Sequence, residues 1–282
     1  MTSISNVTYD MFVDRTGTRD QFEIDPDAFE ILSTVRYDPG LTKESPTSID
    51  KVTKQNFFLL PEHVERLKYS ASFFIEAAKL NNPHFEHSVF DINETFIYKK
   101  ILQALEESGI SLDQPLKIRL LLSLNGEMKV ELYLTPARND LLDGLSDEYP
   151  ESEKYDVYVD KTPVLPSPFT SFKTTSRKVY SDARSRALPG KLAKEEVILV
   201  NTLGEVTEGS VTNIAVLDKE GTWVTPQLTS GCLCGVTRYM LLKKNLMKEG
   251  KVSLDDLIEG QDVLLLNGIL GVVRGTIKGF VN

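Results

Sequence analysis

A chain of 282 residues, 41% hydrophobic and 26% charged, is long enough for one large or two modest globular domains. Its 32 lysines and arginines stand against 41 acidic residues, and the resulting formal charge of -9, with no basic cluster along a face, argues against nucleic acid as a partner. The opening "MTSISNVTYDMFVDRTGTRD" has neither a secretory nor a transit pattern, and no stretch approaches the ~18 apolar residues of a membrane span, so a cytoplasmic protein without a membrane partner is expected.

In chain order, "FEILSTVRY" reads as a strand ending at the turn signal "DPG". In "PEHVERLKYSASFFIEAAKL", Val64, Leu67, Ala71, Phe74 and Ala78 recur at helical spacing, and Pro61 suits the first turn. "ETFIYKKILQALEESG" predicts a second helix, with Gly109 as its stop. "LKIRLLLSL" and "MKVELYLTP", joined at Asn125-Gly126, predict a hairpin with a tight type I′ turn. The polar, acidic "ARNDLLDGLSDEYPESEKY" then marks a boundary and is read as a solvated insertion. Beyond it, "EEVILVNTLGEVTEGS", "NIAVLDKEGTWVTP" and "DVLLLNGILGVV" are strand-rich, and "GVTRYMLLKKNLMKEG" predicts a helix running to Gly250. The expected chain is therefore mixed α/β in two domains. Residues 1–140 form the N-terminal one, 141–170 a linker with the strand entering the next, and 171–282 the C-terminal one.

Several kinds of chemistry are excluded by what is missing. No phosphate loop of the G-x-x-x-x-G-K type and no G-x-S-x-G nucleophile elbow occurs. His84 and His87 in "HFEH" read as a solvated pair, His63 as a helix-packing residue, and no metal site is expected. Cys232 and Cys234 in "GCLCG" are too close to staple anything and read as packing thiols. Asn6 and Asn93 lie in glycosylation-type triplets, read as chance matches where no leader precedes them.

What remains is an ordered series: "HVERL", then Lys173 in "SFKTTSRKVYSDARSR", then "GEVTEGSVTN", "TPQLTSGCLCGVTR" and "LLLNG". Singly, each has an ordinary reading as a surface turn, a helix start or a solvated charge. Together, in this order and over most of the chain, they resemble the fold-type IV pyridoxal-phosphate enzymes, the class IV aminotransferase family. The resemblance implies a two-domain fold with a smaller N-terminal α/β domain, a larger strand-rich C-terminal domain, pyridoxal 5'-phosphate as cofactor, and a homodimer. By the same resemblance Lys173 matches the Schiff-base lysine, Arg66 an arginine on the cofactor phosphate, and Glu208 the carboxylate on the pyridine nitrogen. Val236 and Thr237 match the backbone and hydroxyl donors that hold the phosphate at a helix start. Asn267 and Gly268 match a second phosphate-side turn.

Those roles suit the residue types. An amine must lose its proton to attack an aldehyde, which a pocket can favour. A carboxylate favours a protonated ring nitrogen, the electron sink. A helix N-terminus offers a phosphate unpaired N–H groups and a favourable dipole, and an arginine adds paired donors.

Within the family, Arg177 four residues after Lys173, and Lys178 where branched-chain enzymes usually carry tyrosine, are more similar to the aminodeoxychorismate lyases, their fungal forms in particular. That implies elimination of pyruvate from 4-amino-4-deoxychorismate to leave 4-aminobenzoate, with Lys173 as nucleophile and base. An aminotransferase using the same lysine, and a non-catalytic cofactor-binding protein, stay open as alternatives. Arg177 also reads as a surface ion-pair partner. Arg36 and Arg177 are the candidates for the substrate carboxylates. Cys234, where many relatives have proline, and "GVVRG", which lacks a common proline, depart from the family pattern.

Overall fold

The computed structural model describes residues 24–82, 84–85, 91–188, 190 and 194–282; Asn6 and His87 lie outside them. The described chain divides into two compact units. The first holds the residues up to Asn139 together with Phe172–Ser176, and the second holds Asp140–Ser171 and Arg177–Asn282.

The first unit contains β1 (Ile31–Tyr37), α1 (Leu60–Asn81), α2 (Glu94–Ser108), β2 (Leu116–Leu122) and β3 (Met128–Leu134). Its strands form an antiparallel sheet in the order β1-β2-β3, with α1 against β1 and α2 against β3. The predicted apolar stripe of α1 is its core face, since Val64, Leu67, Ala71, Phe74 and Ala78 are all buried. Asn93 caps α2 by accepting from the Phe96 N–H at 2.9 Å. Gly109 ends that helix in the left-handed region, at φ 61.

The β2–β3 hairpin differs from the expected two-residue turn. Leu122 pairs with Met128, and Ser123 receives the Gly126 N–H while donating to the Glu127 carbonyl, which leaves a three-residue loop, Leu124 to Gly126. Only Gly126 has positive φ, so the connection is a type I turn closed by a left-handed glycine.

The second unit is strand-rich. It runs β4 (Tyr155–Val164), a single turn α3 (Pro168–Ser171), α4 (Lys178–Ala187), β5 (Glu195–Asn201), β6 (Val206–Gly209), β7 (Asn213–Leu217), β8 (Trp223–Pro226), α5 (Val236–Lys243), β9 (Lys248–Gly250), β10 (Asp262–Asn267) and β11 (Gly271–Val281). Among the described residues these strands make one mixed eight-stranded sheet, ordered β6-β5-β4-β11-β10-β7-β8-β9. Successive residues of β5 serve opposite faces. Ile198 and Val200 join the main core with Val159, Ile214 and Leu265, whereas Val197 and Leu199 pack under α4 with Tyr180, Ala183 and Ala187.

Two expectations are corrected here. The segment read as a solvated insertion is docked on the sheet. Leu141 and Tyr149 are buried, the Leu141 carbonyl accepts the Val272 N–H at 2.7 Å, and Lys154 meets Asp262 at 2.7 Å. Within 141–170, β4 lies between β11 and β5, well inside the sheet. The helix expected to reach Gly250 stops at Lys243, because Asn245 turns left-handed at φ 56 and its N–H and that of Leu246 close back on the Leu242 and Leu241 carbonyls. "KEG" then becomes β9, parallel to β8.

Candidate active site

In the first unit, Phe172–Ser176 lies along the outer edge of β1. The Leu32 N–H donates to the Lys173 carbonyl at 2.8 Å, the Thr175 N–H to the Glu30 carbonyl at 2.9 Å, and Ile31 and Thr174 form a bridge. Extended backbone alternates its side chains, so Phe172 and Thr174 are buried while Lys173 and Thr175 are half-buried on the other side. Phe172 fixes the strip, stacking on Phe73 with ring centroids 4.4 Å apart and meeting Phe74 at 5.5 Å. An isolated lysine in a polar stretch is thus held by main-chain pairing and an aromatic plug.

On α1, His63 and Arg66 share a face at i, i+3. Ser33 of β1 joins them: its Oγ lies 2.8 Å from His63 Nδ1 and accepts from Arg66 Nη2 at 3.2 Å. Burial, with the charges of Arg66 and Lys173, holds the His63 imidazole well below its ordinary value, so the ring is neutral. The structure therefore groups His63, Arg66 and Lys173. Arg36 is otherwise engaged. It is 0% exposed, its guanidinium is 2.7 Å from Asp38, and it donates to the Pro136 carbonyl at 2.9 Å.

In the second unit, Glu208 sits in β6 and is buried. Its Oε1 accepts from the Tyr180 hydroxyl at 2.7 Å, and its Oε2 from the Leu233 N–H at 3.2 Å and Asn213 Nδ2 at 3.3 Å. Burial, then the charge and hydrogen bond of Glu208, push the Tyr180 phenol well above its ordinary value, so it stays a donor. Arg177 precedes α4 rather than pairing on its surface. Its guanidinium lies 4.4 Å from the centre of the Tyr180 ring and donates to the Ser210 carbonyl.

The Ser210 turn is itself held by a second buried carboxylate. Glu196 accepts from the Ser210 and Val211 N–H groups and from the Thr212 hydroxyl at 3.0, 3.1 and 2.8 Å.

The start of α5 adjoins this network. Asn213 Nδ2 also donates to the Leu233 carbonyl at 2.8 Å, and a Cβ on Gly235 would lie 1.9 Å from Asn213 Oδ1, so only glycine lets the chain enter the helix here. The N–H groups of Val236 and Thr237 have no acceptor within the helix. The Thr237 hydroxyl donates to the Asn267 carbonyl at 2.8 Å. The Asn267 side chain accepts from the Ile269 and Leu270 N–H groups at 2.8 and 2.7 Å and donates to the Val211 carbonyl at 3.2 Å, which ties the 268–270 turn to the Ser210 turn.

In the second unit, a helix start entered at an obligate glycine suits an anion, and a carboxylate oriented by Tyr180, Asn213 and the Leu233 N–H suits a protonated ring nitrogen; the first unit, taken by itself, offers a lysine and an arginine whose charges both act on His63. Sequence reasoning missed Tyr180, Asn213, Ser33 and the packing partner of His63. The only sequence trace was that "EGSVTN" ends on Asn213 and that an aromatic residue stands in an otherwise polar helix.

The amino-transferase class IV profile matches residues 50–276, most of the chain. The chain belongs to the class IV amino-transferase family. A class IV relative, the aminodeoxychorismate lyase of Saccharomyces cerevisiae, is 32% identical over 266 residues, covering 81% of this chain and 69% of its own. A protein of Schizosaccharomyces pombe, provisionally named as an aminodeoxychorismate lyase, is 28% identical over 78% of this chain and 84% of its own. Among solved structures, one from Mesorhizobium loti, provisionally described as an amino-acid aminotransferase, superposes with a TM-score of 0.62 at 25% identity, over 88% of this chain and 99% of its own. The class IV match spans Arg66, Lys173, Glu208, Val236, Thr237, Asn267 and Gly268, and begins after Arg36.

Proposed function

We propose that this chain is a pyridoxal-phosphate-dependent lyase converting 4-amino-4-deoxychorismate to 4-aminobenzoate and pyruvate. The similarity to the Saccharomyces cerevisiae lyase over 81% of the chain carries the reading. Lys173 would hold the cofactor through its Nζ, and the same nitrogen, when free, would move the substrate C4 proton. Glu208, held by Tyr180, Asn213 and the Leu233 N–H, keeps a proton on the ring nitrogen. By the family resemblance, Arg66 is assigned to the phosphate, and so are the N–H groups of Val236 and Thr237, whose helix start is tied to the turn at Asn267 and Gly268 through the Thr237 hydroxyl. Because the Asn267 side chain and the Thr237 hydroxyl are already bonded, main-chain N–H groups supply most of the donors on that side.

When bound, pyridoxal phosphate supplies an electron sink for the pair left by proton removal. Departure of the enolpyruvyl oxygen then aromatises the ring. Arg177, with one N–H on Ser210 and its cation on the Tyr180 ring, has further donors for a substrate carboxylate. Arg36, neutralised by Asp38, is not assigned this role. A cytoplasmic homodimer completes the reading and rests on the family resemblance. Among the described residues no helix is long and apolar enough to cross a membrane.

With aminodeoxychorismate alone, the protein should turn over many times and release 4-aminobenzoate and pyruvate in equal amounts. Borohydride should fix the cofactor on Lys173. A requirement for added 2-oxoglutarate, or a faster reaction with leucine or a D-amino acid, would replace the lyase with an aminotransferase.

A further inference from the structure

We propose that Ser33 and His63 are positioning residues that aim Arg66 at the cofactor phosphate, through the ordered chain Arg66 Nη2 to Ser33 Oγ to His63 Nδ1. The inference rests on the assignment of Arg66 to the phosphate made above.

The direction of the chain follows from donor chemistry. A guanidinium only donates, so Ser33 Oγ accepts from Arg66. The hydroxyl proton then needs an acceptor, and among the described residues His63 Nδ1 stands within reach at 2.8 Å. A proton on Nδ1 instead would leave Ser33 accepting from two groups with its own proton unplaced. The imidazole proton therefore sits on Nε2, a buried atom that has no hydrogen-bond partner among the described residues.

That arrangement makes little sense as packing alone. His63 and Ser33 are both 0% exposed, and a leucine at 63 would fill apolar space without burying an unpartnered N–H. What histidine adds is one acceptor, and what it accepts is the hydroxyl that holds Arg66. The neutrality of His63 is part of the device. A charged ring would put a second cation on Ser33 and reverse the bond that the arginine needs. Ser33 and His63 are fixed by β1 and α1, whereas Arg66 has a long, rotatable side chain that gains orientation from the contact.

The test compares apoprotein affinity for pyridoxal phosphate and for pyridoxal, which has the aldehyde and ring but no phosphate, from the visible band of the Lys173 adduct. Ser33→Ala should weaken pyridoxal phosphate about tenfold and leave pyridoxal unchanged. Arg66→Ala should do the same more strongly, and the double variant should bind no worse than Arg66→Ala alone. His63→Leu should resemble Ser33→Ala, while His63→Asn, whose Oδ1 can accept from Ser33, should restore the wild-type ratio. Should His63→Leu fail to fold, Ser33→Ala and the double variant carry the test alone.

Equal losses for both ligands, full additivity with Arg66→Ala, or a silent Ser33→Ala beside a strongly phosphate-selective Arg66→Ala would overturn the positioning role and leave the proposed function standing. An Arg66→Ala variant with an unchanged ratio would remove the phosphate assignment itself, and the inference with it.

Discussion

Glu208 shows how much of a carboxylate's work depends on what surrounds it. Both of its oxygens are engaged, and the shortest contact is the 2.7 Å bond from Tyr180. Tyr180→Phe keeps the ring under Arg177 and removes the hydroxyl that donates to Glu208 and lies 3.4 Å from the Thr170 carbonyl, so the fold should survive while the carboxylate gains freedom to rotate. We expect kcat to fall about tenfold with the melting temperature little changed, and the pH dependence of the cofactor absorbance to shift.

Arg36 should behave in the opposite way. Removing it strands Asp38, which is 7% exposed, so Arg36→Ala should cost about 3–5 kcal/mol of stability in denaturant titration. A stable Arg36→Ala protein with a raised KM would return Arg36 to the substrate. At this scale the assignments of Lys173, Arg66 and Glu208 rest on short motifs that fall in a fixed order along the sequence. Tyr180 and Asn213 were not legible there, because a bond between residues 28 apart exists only once α4 and β6 have packed.

Periodic elements were read well and their ends less well. The α1 stripe and the α2 stop at Gly109 follow from local rules that tertiary packing did not override. The end of α5 was misread because a glycine was taken as the stop, when the left-handed position belongs to Asn245, five residues earlier. Asparagine tolerates that conformation better than any residue with a longer or branched side chain. Asn245→Ala should therefore lose about 1 kcal/mol, measured by the denaturant midpoint, with no effect on cofactor binding. The three-residue hairpin loop is the same lesson in a strand setting. Asn-Gly permits a type I′ turn, but the register of Leu122 with Met128 decides the loop length.

For the molecule as a whole, the two-unit, strand-rich plan was legible from the order of apolar runs. The membership of the acidic segment was not, since composition cannot tell a polar chain lying on a sheet from one in solvent. The buried neutral His63 links global stability to pH. An unfolded histidine takes up a proton near pH ~6.5, whereas burial and the charges of Arg66 and Lys173 hold the folded one well below that. Below that pH the unfolded chain binds more protons than the folded one. The contribution is complete above it and is lost as pH falls, with a slope approaching about 1.4 kcal/mol per pH unit. Urea titrations between pH 7 and 5 should show this loss in the wild type and a flatter profile in His63→Asn. Parallel profiles would mean that the folded imidazole protonates as readily as the unfolded one.

Phe172–Ser176 pairs with β1 and plugs the aromatic cluster of α1, yet it is made more than thirty residues after Asn139, where the rest of the first unit ends. During synthesis, then, the first unit cannot close as it emerges from the ribosome. Until the strip arrives, the outer edge of β1 has unpaired N–H and C=O groups and Phe73 lacks its stacking partner, the kind of exposed edge that invites pairing with a neighbouring nascent chain. Lys173 is thus delivered on the segment that completes the first unit, and a truncated translation product stopping short of it would keep that edge open.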